Sequence, residues 1–178
     1  MSYLILKYLH IIGASVLLGT GAGIAFFMLL AHRTGDPRVI AGVARIVVIA
    51  DYLFTASVVV LQPITGAALV WLVGYSFLEG WVLLSLLLYA VTGLFWLPVV
   101  RIQTRMRDLA MASVKHAQPL PAEYHRLFRR WFAFGFPAFA SVLAIFWLMI
   151  AGRAFRCCKA NRALAAPDSS AFDSVPEL

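Results

Sequence analysis

Charge is scarce in this chain of 178 residues. Charged residues make up 13% of it and acidic ones number 8, whereas hydrophobic residues reach 62% and mean hydropathy is +0.87. A water-soluble domain carries about twice that share of charge, so the composition excludes one and defines an integral membrane protein. Cysteine is equally sparse. The 2 cysteines, Cys157 and Cys158, are adjacent, which excludes a disulfide framework and a CxxC metal site. Phosphate-binding glycine loops and Ser-His-Asp arrangements are missing too, because polar residues are too few and too scattered. A net charge of +7 points to nucleic acid in a soluble chain. Here the basic residues flank apolar runs, where they set orientation and meet anionic lipid, and no nucleic-acid partner is expected.

What the chain does have is long apolar runs. The first extends from Tyr3 to His32, with only Lys7 and His10 strongly polar between Leu4 and Ala31. It is too long for a signal peptide, and it ends in Ala31-His32-Arg33 with no small-x-small cleavage pattern. The second runs from about Arg45 to Val73. Pro63 near its middle predicts a kink, with Gln62 and Thr65 placed to satisfy the backbone group it frees. Trp81 opens the third, which reaches Val100 and continues as helix through Arg107. An amphipathic entry helix, Tyr124 to Trp131, precedes the fourth span, Phe132 to Ala151. Each run is long enough to cross a bilayer. The expected fold is all-α, an integral membrane four-helix bundle over residues 1–155, followed by a disordered tail over 156–178. Trp71, Tyr75 and Trp81 form an aromatic belt at one boundary.

Orientation follows from the basic residues. The first and third connections share a side and carry ten of the 15 lysines and arginines, among them Arg33, Arg38, Arg101, Arg105 and Arg130. The opposite side carries five, and its middle loop has only Glu79. Both termini are therefore expected on the periplasmic side.

His10 is the residue around which a function can be built. At about 1.5 Å of rise per residue it lies roughly 10 Å inside the first helix, where a titratable side chain is costly without a partner. Its stripe continues through Gly13, Ala14, Leu17 and Gly21, mostly small side chains against which a flat cofactor or another helix can lie. Lys7, one turn earlier, can snorkel to the surface or meet an anionic group such as a propionate. His32, His116 and His125 are too far away for a bis-histidine site within one chain. Met149 is the soft donor at matching depth, and Gln62 and Tyr89 are weaker candidates. Two readings stand side by side: a cofactor ligand, or a packing residue hydrogen-bonded to a neighbour. At the other end of the bundle, Asp51 is expected to pair with Arg101 or Arg105 and lock two helices together.

Four segments together resemble a known family: Tyr8-Leu9-His10-Ile11-Ile12-Gly13, Gln62-Pro63-Ile64-Thr65-Gly66, Leu97-Pro98-Val99-Val100-Arg101 through Arg107, and Phe146-Trp147-Leu148-Met149-Ile150. They resemble the bacterial integral membrane family catalogued as domain of unknown function 2269, over about residues 1–155. That family is similar in layout to the HemJ-type protoporphyrinogen oxidases and the CopD copper-resistance proteins. In the HemJ type, a histidine of the first span and a lysine of a later span accompany a b-type haem. His10 matches the histidine, whereas no lysine occurs in the second, third or fourth span. The resemblance implies a haem b protein of the bacterial inner membrane with a redox role. Its cofactor residues would be His10, Lys7, Gly13, Ala14 and Met149, with His10 and Met149 as metal ligands, and its electrons would come from a quinol or porphyrinogen. The alternatives are CopD-like copper handling and a non-catalytic accessory subunit. A homodimer through the glycine-rich first helix, or a larger membrane complex, is compatible with any of these.

Overall fold

The computed structural model describes the backbone of residues 1–164 and the side chains of residues 1–152. Helix α1 runs over Ser2–Thr34, α2 over Pro37–Ala50, α3 over Ala56–Val73, α4 over Gly80–Lys115 and α5 over Ala122–Leu164. A π-helical turn, Asp51–Thr55, joins α2 to α3, so these three elements make one span. Four helical runs are thus long and apolar enough to cross a membrane, and no strand occurs among the described residues. The expected all-α four-span bundle is the observed fold. Of the tail expected from 156 onward, the backbone is helical as far as Leu164; residues 165–178 and the Cys157 and Cys158 side chains lie outside the described ones.

The helix ends are written in the sequence. Gly35 closes α1 in the left-handed region at φ 66°, where a side chain would be strained, and Asp36 then caps α2 by accepting from the Arg38 amide at 2.8 Å. Pro37 takes the first helical position, where its missing N–H costs nothing. Gly74 ends α3 in the same left-handed way.

Both long hairpin helices exceed their expected bounds. At 36 residues, α4 is about 54 Å long, well beyond an apolar layer of about 30 Å. Its polar final turns, Arg101 to Lys115, emerge from the bilayer alongside the first turns of α5. The entry helix expected at Tyr124 to Trp131 is not separate: no breaker stands between Trp131 and Phe132, and α5 continues straight into the membrane.

The buried core gathers at this emergent end. Met28, Ala31, Ile40, Ala44, Met106, Ala110, Tyr124 and Phe128 close on one another there. Water is available at that end to drive apolar burial. Inside the bilayer lipid tails compete equally for apolar side chains, and helices associate through small residues and hydrogen bonds instead. The bundle accordingly opens toward its other end, where α1 packs on α3 and α4 packs on α5, while α1 and α5 meet only sparsely.

Two expected polar pairings are replaced. Pro63 has no N–H for the Val59 carbonyl four residues back, and the group that fills the gap is the Tyr89 hydroxyl of α4. Gln62 and Thr65 are engaged elsewhere. Asp51 pairs with neither arginine. Its Oδ1 accepts from Trp96 Nε1 at 3.3 Å, while Arg105 Nε meets Glu123 Oε1 at 3.0 Å and Arg101 is exposed. The reason is depth: Trp96 lies about 7 Å further into the membrane than Arg101, and a guanidinium reaches toward water rather than inward.

Candidate functional site

His10 and Gly13 stand three apart on α1, and Gln62, Thr65 and Gly66 stand three and four apart on α3, so each set forms one helical stripe. The two stripes face each other. His10 Nδ1 lies 2.8 Å from Thr65 Oγ1, and Gln62 Nε2 donates to the His10 carbonyl at 3.0 Å. The glycines allow this approach. A Cβ on Gly13 would stand 2.9 Å from Gln62 Nε2, and one on Gly66 would stand 3.3 Å from His10 Cε1.

The network fixes where the protons are. The Thr65 hydroxyl has one proton and lies 2.9 Å from the Leu61 carbonyl and 3.2 Å from that of Gln62. Giving its proton to this backbone, it can only accept from His10, so Nδ1 is the donor. A neutral imidazole so held is the Nδ1–H tautomer, with its lone pair on Nε2. No hydrogen bond reaches Nε2 among the described residues. An imidazole whose Nδ1–H is held by a neutral oxygen, leaving Nε2 open, is oriented as metal-bound histidines are.

Other residues of the expected site are dispersed around this relay. Lys7 places its ammonium 5.8 Å from the centre of the Tyr3 ring, a cation–π contact one turn away toward the terminus. Gly13 is buried against Gln62 and Val58, so its small size serves contact between helices. Ala14 is half-buried. Met149 lies on α5, 38% exposed, one turn before Gly152, whose backbone abuts the Trp81 ring at the α4–α5 seam. Gln62 and Tyr89 both donate to backbone carbonyls, of His10 and Val59 respectively.

Gln62 was expected only as a weaker ligand candidate beside His10, and Thr65 only as a group serving the backbone that Pro63 frees. The available signal was the matched spacing, a polar i, i+3 pair on one span opposite a histidine and a glycine at i, i+3 on another.

A bundle of four membrane-spanning helices, with a polar relay between the first two spans, defines this chain as a polytopic membrane protein. It belongs to the family described as predicted integral membrane protein (DUF2269), whose model matches residues 4–152 and so takes in all four spans and the relay. No curated protein and no solved structure matches the chain.

Proposed function

We propose that the protein is a membrane redox protein of the bacterial inner membrane that holds a b-type haem through Nε2 of His10. The observation that carries this reading is the relay from His10 Nδ1–H through Thr65 Oγ1 to the Leu61 carbonyl, which sets the tautomer and aims a single nitrogen. One nitrogen suits a group that brings its own equatorial donors, which is why haem fits this residue better than a bare ion. When bound, haem supplies a one-electron couple within the membrane.

The chain's own residues do the rest. Thr65 and Gln62 hold the His10 ring and its backbone against α3. Lys7 is the cation that would meet a propionate, and any second protein ligand would come from Met149 or from a second protomer. A quinol or porphyrinogen is the electron donor in this reading, and both termini face the periplasm, as the basic residues direct.

The test is a visible spectrum of the detergent-purified protein, made with ample haem supply, oxidised and dithionite-reduced, beside His10→Ala. A Soret band with sharp reduced bands, lost in the variant, is the expected result. A featureless spectrum overturns the reading; copper found by elemental analysis would then move His10 to soft-metal handling, and a copurifying partner would mark an accessory subunit.

A further inference from the structure

Two turns along α1 from His10, the helices flank an open-sided cavity of about 360 Å³. It runs beside α4 from Thr92 to Gln103, about 16 Å, with α1 on one side and α5 on the other. Its size is that of a small-molecule site. The cavity is separate from the His10 relay, and a ligand there requires no haem.

The wall is apolar but not indifferent. Gln103 is 1% exposed, and neither its Oε1 nor its Nε2 has a hydrogen-bond partner among the described residues. Trp131 is 4% exposed, and its Nε1 is unpartnered among them as well. Asp51, the one ionisable side chain among the described residues lining the cavity, adds a carboxyl group already touched by Trp96. Buried amide and indole groups in a membrane protein are normally satisfied, because the hydrocarbon offers nothing in exchange. Here two side chains of the cavity lining, from different helices, leave buried donors and an acceptor unused.

We propose that this cavity binds a lipid-soluble quinone or quinol, with its oxygens on Gln103 and Trp131. Three observations select that class. The unused groups include donors for carbonyl oxygens and acceptors for hydroxyls, Gln103 offering both. Among the described residues no lysine or arginine lines the cavity, so an anionic headgroup has no counter-charge while a neutral ring needs none. The lining aromatic Phe136 is also 68% exposed, so the cavity opens sideways between α1 and α5, where those helices meet sparsely, and an alkyl or isoprenoid tail can remain in the lipid.

The test uses the full chain in detergent with decylubiquinone as probe, read by quenching of tryptophan fluorescence, since Trp96 and Trp131 line the cavity. Saturable quenching is expected, weakened about tenfold in Gln103→Leu by loss of the hydrogen bonds. It should be abolished in Gly135→Leu, whose added side chain enters open space on the wall. Gly21→Leu, on the opposite wall and equally open at Cβ, gives the same reading should Gly135→Leu melt early. Quenching that rises linearly with the quinone-to-detergent ratio and is equal in all variants overturns the proposal. Saturable quenching that the variants leave unchanged overturns it too, and so does equal competition by dodecane, which would mark a merely apolar hollow.

Discussion

The Tyr89 hydroxyl donates to the carbonyl of Val59, the backbone acceptor that Pro63 leaves without its helical donor. A proline on one helix is thereby answered by a tyrosine on another, and two helices that otherwise scarcely meet are tied at that point.

Tyr89→Phe removes this donor and strands the carbonyl in an apolar setting, at a cost of about 1 to 3 kcal/mol. Pro63→Ala restores the N–H, so in that background the same Tyr89→Phe change costs at least about 1 kcal/mol less. A double-mutant cycle of unfolding in mixed detergent measures the difference. Equal costs in both backgrounds would show that Tyr89 acts only through packing.

Thr65→Val keeps the shape of the residue but removes the oxygen that accepts from His10. Stability should fall by about 1 kcal/mol, and Thr65→Ser should retain most of it. Nitrogen NMR of labelled protein should show the Nδ1–H tautomer of His10 in wild type and a mixture in Thr65→Val. If haem is bound, its affinity should drop about 10- to 100-fold in the valine variant, the usual effect of losing such a supporting contact.

Glycines of the first span should divide sharply. Gly13→Ala places a methyl 2.9 Å from Gln62 Nε2 and displaces that amide from the His10 carbonyl, so a loss of about 1 to 3 kcal/mol is expected. Gly21→Ala meets nothing within 4 Å and should be neutral or stabilising by about 0.5 to 1 kcal/mol. Melting temperatures of the two variants decide it, and equal effects would contradict the α1–α3 packing.

Alkaline phosphatase fused after residue 152 should be active and a fusion within 116–121 inactive, with a green fluorescent reporter showing the reverse. That pattern corresponds to termini outside and basic connections inside. The opposite pattern reverses the orientation without altering the fold.

The spans were legible because length and apolarity suffice to place a membrane helix, and His10 stood out as a titratable side chain deep in the first of them. Partner choice was not. Gln62 and Thr65 adjoin Pro63 in sequence, and the nearest backbone vacancy is the one they were expected to fill; their helix turns them instead toward α1. The donor that fills the vacancy, Tyr89, is 26 positions beyond Pro63 and carries no local sign of its task. Asp51 shows a similar limit. Opposite charges suggested a pair, but a tryptophan at the right depth was available where an arginine was not.

The π turn at Asp51–Thr55 sets a phase. An α-helix advances about 100° per residue and the π turn takes up one residue more, so a residue removed from the turn lets it close as α, whereas one removed from the α-helix at 56–58 would rotate everything after it by about that angle. Gln62, Thr65 and Gly66 would swing off His10 together, and the Val59 carbonyl would leave Tyr89. Lipid-facing positions of the second span can accept many side chains, but beyond its π turn the span cannot accept a change in count.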